Sequence, residues 1–221
     1  MYGLKKEMFL LFYVDDCLIF IPSRDKIDEV CASLQAYFKI EDDGELNKYL
    51  GIDLDRCPDG SIHLRKPYLT QRILNMIPGM DKSRANPTPV VKSPLVKNEG
   101  YQERKNDFNY RSVISSLDFL TDSTRPEAQF VVHQCARFSD DTKLPHDQAV
   151  KCILNYLKVT DTQGLIMKPD PEKGIKCYVD AGFAGGWNQE EGKDPGSVLS
   201  RTGYVITYAN CPIILARRIQ T

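Results

Sequence analysis

The stretch MFLLFYVDDCLIFI, residues 8–21, decides how this chain is read. Two apolar arms, Met8–Val14 and Cys17–Ile21, flank the adjacent carboxylates Asp15 and Asp16. Arms this rich in aromatic and aliphatic residues predict two short strands joined through the acids, and Pro22 closes the second arm. A carboxylate is costly beside buried apolar surface, so the pair belongs at a tip that water or an ion can reach. Successive strand residues face opposite sides. Asp15 and Asp16 are equal partners only if the chain bends between them, so Asp15 takes the primary role and Asp16 an accessory one. Two readings of the tip stand side by side. One is a solvated turn, since Asp favours turns. The other is a seat for Mg²⁺, with Mn²⁺ as a substitute: a hard cation takes oxygen ligands, and two such ions clamp the attacking and leaving oxygens of a phosphoryl transfer.

Beyond the tip, Ile27, Val30, Cys31, Leu34 and Phe38 recur at helical spacing behind the capping candidates Ser23 and Asp25, which predicts a helix over Lys26–Tyr37. Tyr49–Arg56 and Ile62–Arg65 read as a hairpin around Pro58-Asp59-Gly60. Pro67 opens a further helix that Gly79 ends. Residues 81–102 carry Pro87, Pro89 and Pro94 with Lys82, Arg84, Lys92 and Lys97, and read as an extended strap. Helical patterns resume at Tyr110–Leu120, Glu127–Phe138 and Pro145–Lys158. Ile175–Val179, Tyr204–Tyr208 and Ile213–Leu215 read as strands around a Gly-rich charged loop, residues 182–194. His146 is expected to make a contact at a helix start, and Tyr110, Phe119 and Phe130 to be core.

Bulk composition narrows the function classes. The 221 residues carry 29 Lys and Arg against 30 Asp and Glu, a net charge of -1, so a strongly basic nucleic-acid binder is excluded and only a local basic surface could serve. Hydrophobic residues at 42% exclude wholesale disorder. No apolar run approaches the ~20 residues needed to span a bilayer, and no cleavable leader is evident, so no membrane partner is expected. Seven cysteines, odd in number and without a CxxC pair, do not build a zinc pattern with the three histidines. They read as reduced, mostly buried thiols of an intracellular protein, cytoplasmic or nuclear.

Several ordered blocks carry a family resemblance. Phe12-Tyr13-Val14-Asp15-Asp16 resembles the YxDD box of reverse transcriptases. Phe38-Lys39-Ile40, Gly44-Glu45-Leu46 and Lys48-Tyr49-Leu50-Gly51-Ile52 are similar to a segment of copia-type LTR-retrotransposon polymerases. Tyr110-Arg111-Ser112, Thr124-Arg125-Pro126, His146 and Tyr156-Leu157-Lys158 resemble the helical region that follows it. Tyr178-Val179-Asp180, Phe183-Ala184-Gly185-Gly186-Trp187 and Ser200-Arg201-Thr202-Gly203-Tyr204 resemble the opening of the family's RNase H domain.

The resemblance implies an α+β chain: a partial right-hand polymerase palm with thumb and connection helices, followed by an incomplete RNase H-like sheet. Its expected domains are palm at 1–66, thumb-like helix and strap at 67–109, connection at 110–170 and RNase H start at 171–221. Asp15 and Asp16 would serve the polymerase metals, Tyr13 and Val14 would lie against primer or nucleotide, and Asp180 would be the first nuclease metal ligand. As an isolated residue, Asp180 is equally an ordinary strand-end turn. Arg65 and Lys66, just ahead of the Pro67 helix, are candidates for template phosphates, and Trp187 is either a stacking ring or a packing plug. The implied partners are an RNA or DNA primer–template and the missing parts of the polyprotein.

This sequence departs from the family at Gly182, where a second acid is common, and at Ser115, Glu127, Leu215 and Arg217-Arg218. A two-metal polymerase site also takes a carboxylate from another strand, and Glu7 is the single acid among the 14 residues before Asp15. The chain ends at Thr221 before the later nuclease acids. The expectation is therefore a fragment of an RNA-directed DNA polymerase that does not extend a primer by itself. The alternatives are a non-catalytic nucleic-acid-binding or assembly module derived from a retroelement, and a decayed reading frame with open sheet edges.

Overall fold

The computed structural model of the protein describes residues 2–3, 8–79, 85–90, 95–97, 100–105, 107–182 and 200–219. Glu7, the strap residues Lys82, Arg84 and Lys92, loop residues 183–194 with Trp187, and the side chains of Arg217 and Arg218 lie outside that set. Helix and sheet are both present, so the class is α+β. The chain divides into two compact units, Met1–Leu46 and Asn47–Thr221.

In the first unit, β1 (Tyr2–Gly3), β2 (Phe9–Tyr13) and β3 (Asp16–Phe20) form an antiparallel sheet in that order. Helix α1 (Arg24–Gln35) follows, and Ile27, Val30, Cys31 and Leu34 form its half-buried stripe. Phe38, expected on that stripe, lies past the helix end and is exposed. The Arg24 guanidinium reaches Asp28 at 3.0 Å and Asp42 at 2.6 Å, holding the segment after the helix against its first turn.

In the second unit, β4 (Lys48–Tyr49), β5 (Ile52–Arg56), β6 (Ile62–Arg65) and β7 (Leu165–Met167) make a four-stranded antiparallel sheet. Tyr49–Arg56 is therefore two strands, not one. Leu50 and Gly51 adopt φ of 49° and 73°, the double positive φ of a two-residue hairpin. Strand β7 has no counterpart in the sequence reading: three residues carry too little alternation to be legible. It docks because Gly164 lies against β6, where a Cβ would stand 2.1 Å from the Leu64 carbonyl oxygen. The sheet thereby gains a strand from a point some 100 residues further along the chain.

The hydrophobic core is helical. Helices α2 (Pro67–Leu74), α3 (Tyr110–Ser123), α4 (Gln129–Ala136) and α5 (Leu144–Val159) bury Ile73, Val113, Leu117, Leu120, Val132, Val150, Ile153, Leu154 and Leu157 completely or nearly so. Helix α4 starts later than its apolar pattern because Pro126–Ala128 forms a 3-10 turn first. Pieces of the strap cross this unit: Val96 is buried, and the Asn86 amide donates to Cys152 Sγ at 3.0 Å. Tyr110 is core, but Phe119 and Phe130 are corrected to half-exposed surface rings. The thiols also need correction: Cys135 and Cys211 are buried, while Cys17 and Cys177 are exposed and the rest intermediate.

His146 makes the helix-start contact. Its Nδ1 accepts from the Lys143 amide at 3.0 Å, its Nε2 lies 3.1 Å from the Val96 carbonyl, and its ring stacks on Phe138 at 4.1 Å. A third sheet runs β8 (Ile175–Gly182), β9 (Arg201–Tyr208), β10 (Cys211–Ile219), with β9 central. No described helix is long and apolar enough to cross a membrane.

Two consequences can be measured. Gly164→Ala forces overpacking against Leu64 and is expected to cost about 1–3 kcal/mol in chemical denaturation, whereas Gly203→Ala, with open space, stays within about 0.5 kcal/mol. Burial lowers the pKa of His146 below 6.5. The unfolded chain then takes up a proton that the folded one refuses, so this contribution is complete above pH 6.5 and is lost as pH falls below it. Asp147 works the other way, because burial raises its carboxyl and Arg104 offsets part of that. The expected result is that wild type loses more melting temperature than His146→Gln between about pH 6.5 and 5.

Candidate functional site

The tip of the β2–β3 hairpin is built by its register. Phe9 faces Phe20, Leu10 faces Ile19, Leu11 faces Leu18, Phe12 faces Cys17 and Tyr13 faces Asp16. Tyr13 and Asp16 are thus the closing pair, and Val14 and Asp15 form the turn itself. Val14 takes φ 51°, a value unusual for a β-branched residue, at the turn position where glycine is the ordinary occupant. Tyr13 is 55% exposed and Val14 87%. Asp15 and Asp16 are both exposed, and among the described residues neither carboxylate engages in an ion pair or hydrogen bond.

The pleat sorts these pairs onto two faces, each with exposed and half-buried members: Phe12, 60% exposed, lies with Leu10, Cys17 and Ile19. Leu10 and Ile19 are half-buried on the face they share with Cys17, whose thiol is raised by burial and by the neighbouring Cys31 of α1. Asp16 belongs to the opposite face, with the exposed Tyr13, Leu11, Phe9 and Phe20 and the half-buried Leu18. One acid therefore sits at the apex and the next on an open, largely aromatic surface.

Oxygen donors of this kind fit a hard cation. Mg²⁺ keeps several waters and is held by one or two carboxylates plus substrate phosphates, and two unpaired carboxylates are what the tip offers. Among the described residues no third metal-ligating side chain joins them.

Asp180 lies in β8 opposite Gly203, whose missing side chain leaves the space beside the carboxylate open. It too is exposed and without a partner among the described residues. No group of three metal-ligating side chains includes it among those residues. Tyr178, Val179 and Ile175 of the same strand are 56–73% exposed, so β8 presents apolar surface on both faces.

Arg65 and Lys66 are placed differently. Arg65 Nε reaches Asp55 Oδ2 at 2.9 Å across β5–β6. Lys66 is 5% exposed, with its Nζ 3.8 Å from the Phe119 ring centroid, and burial lowers its pKa. That ammonium is engaged inside the fold by a cation–π contact. Of the strap cations, Lys97 is described and lies 3.7 Å from Asp141. Arg65 and Lys66 are thus each engaged by a neighbouring side chain.

One cluster escaped the sequence reading. Asp118, Asp122 and His133 bring one ligand atom each to within 4.8 Å of one another. The four-residue spacing of the two acids is visible in the sequence, but their convergence with His133 exists only once α3 packs on α4.

Comparison with known proteins then places the chain. It is 29% identical over 95% of its length to a retrovirus-related Pol polyprotein from transposon RE1 of Arabidopsis thaliana. It is 28% identical over 94% of its length to an uncharacterized mitochondrial protein of the same plant, covering 81% of that protein. It is 24% identical over 93% to a putative transposon Ty5-1 protein of Saccharomyces cerevisiae, covering 64% of it. The chain spans 14% of the RE1 polyprotein. No family model and no solved structure matches. The homologues of this chain thus include retrotransposon Pol polyproteins, and the similarity runs across nearly all of it.

The strain at Val14 gives a test. Val14→Gly releases a cost of order 1–3 kcal/mol against roughly 0.5–1 kcal/mol for the added freedom of glycine. Amide exchange in β2 and β3 is expected to slow; unchanged or faster exchange contradicts a strained turn.

Proposed function

We propose that this chain is a retroelement-derived segment of a reverse transcriptase, the C-terminal part of its palm, thumb and connection, running into the start of an RNase H domain. The observation that carries the reading is the hairpin register, which sets Tyr13 and Asp16 as the closing pair and lifts Val14 and Asp15 to the apex. Similarity to Pol polyproteins over 95% of the chain supports it.

The chemistry follows from the residues at the tip. Asp15 would hold Mg²⁺, or Mn²⁺ in its place, with Asp16 assisting from the adjoining face. When bound, the ion would supply charge neutralisation where a primer 3′-hydroxyl attacks the α-phosphate of a nucleoside triphosphate and pyrophosphate leaves. Tyr13 and Val14, both open to solvent, provide the ring and methyl surface against which a primer end or incoming nucleotide rests. Asp180 is the first metal ligand of the nuclease portion. Arg65 and Lys66 are engaged with Asp55 and Phe119, contacts that support the sheet and α2 beside the surface proposed for template phosphates. With no third carboxylate at the tip among the described residues, the chain binds primer–template through the metal without joining nucleotides unaided, and the other parts of the polyprotein complete the site.

Fluorescence anisotropy with a labelled RNA–DNA primer–template tests this. Mg²⁺ is expected to tighten binding by the wild-type chain, and Asp15→Asn to remove at least ~10-fold of that effect. Mg²⁺-independent binding, equal in wild type and Asp15→Asn, sinks the reading.

A further inference from the structure

Outside the hairpin, one cluster combines ligand chemistry with an unmet bonding need. Asp118 and Asp122 are four residues apart on α3 and so share a face. His133 comes from the second turn of α4, which packs on that face. Asp118 Oδ1 stands 3.1 Å from His133 Nε2, yet this enclosed oxygen accepts no hydrogen bond. The ring nitrogen and this oxygen are close but not aligned for a hydrogen bond, which leaves the oxygen's lone pairs free for a further partner. Ligands about 2.0–2.2 Å from a tetrahedral Zn²⁺ lie roughly 3.3–3.5 Å apart. The Asp118–His133 pair is already near that spacing, and the whole set needs only a small side-chain adjustment from its 4.8 Å envelope.

The surroundings fit the same reading. The Gln129 amide donates to Asp122 Oδ1, an outer contact of the kind that fixes a ligating carboxylate. The group that meets Asp118 across the helix pair is an imidazole, which in its neutral form is the commonest metal ligand among side chains. Two carboxylates and a ring nitrogen therefore converge from two helices on one small volume.

We propose that Asp118, Asp122 and His133 bind one divalent transition-metal ion, best matched by Zn²⁺, that fastens α3 to α4. The mixed nitrogen and oxygen donors separate this site from the oxygen-only hairpin tip. Imidazole suits Zn²⁺, Co²⁺ and Ni²⁺, whereas carboxylates alone suit Mg²⁺. Three protein donors leave one position for water. The ion bridges the 3-10 corner at Pro126–Ala128 and holds the helices at their junction.

The test is titration of the full chain with Co²⁺ in excess Mg²⁺, followed by its visible d–d absorption, with Zn²⁺ competing. Wild type is expected to show d–d bands without a thiolate charge-transfer band, displaced by Zn²⁺. His133→Gln is expected to lose the bands, with affinity down at least ~10-fold, and Asp122→Asn, at an exposed position, serves if the first variant folds poorly. Zn²⁺ is also expected to raise the melting temperature of wild type and not of either variant. Bands that persist in both variants, a spectrum dominated by thiolate charge transfer, or no bands at millimolar Co²⁺ each overturn the proposal, the last leaving the 3.1 Å contact as an ion pair.

Discussion

A buried guanidinium holds the helical unit together. Arg125 is 1% exposed, and a charge in that position is tolerated only when its donors are matched. Its Nε donates to Glu127 Oε1 at 2.6 Å, its Nη1 to the Thr160 carbonyl at 3.0 Å and its Nη2 to Thr160 Oγ1 at 2.6 Å. The Tyr156 hydroxyl reaches the same Glu127 oxygen at 3.2 Å. The α3–α4 corner is thereby tied to the end of α5. From Thr160 the chain runs on to Gly164 and β7, whose pairing with β6 joins the helical core to the four-stranded sheet. The Thr124-Arg125-Pro126 block, one of those that carry the family resemblance, thus sets where two helices and a strand meet.

The residues proposed for nucleotide chemistry are built on the opposite plan. The hairpin tip belongs to the unit in which none of the described residues is fully buried, those of α1 included. Its acids are exposed, and its turn holds a valine at φ 51°. Stability is concentrated in 67–157, and Asp15, Asp16 and Asp180 are exposed residues outside that segment. This division suits a chain whose open sheet faces, at β2–β3 and at β8, are rich in exposed aromatic and aliphatic side chains.

How much of the structure is legible in the sequence depends on the range of the interaction. The hairpin arms, α1, α3 and α5 are legible because their periodicity is local and their punctuation is strong: Pro22, Pro67 and Pro145 each sit at an element boundary. The split at Leu50-Gly51 is not, because a leucine at positive φ gives no local signal. Strand β7 is hidden because it is defined by Gly164 meeting Leu64. Lys66 reads as a surface cation because nothing in the sequence announces that Phe119 will come to lie beside it. The Asp118, Asp122 and His133 cluster is invisible for the same reason, being a product of helix packing. At the candidate site, the strand–turn–strand tip and its two acids are legible, whereas the positive φ of Val14 and the lack of a third described ligand beside the acids emerge only from the structure.

The central claim is that the acidic apex is a metal seat. Paramagnetic line broadening by Mn²⁺ in an amide-resolved NMR spectrum tests it most directly. The expected result is early, local broadening at residues 14–17 that disappears in Asp15→Asn and weakens in Asp16→Asn. Broadening spread evenly over the exposed acids, or a pattern at 14–17 identical in wild type and both variants, would contradict it.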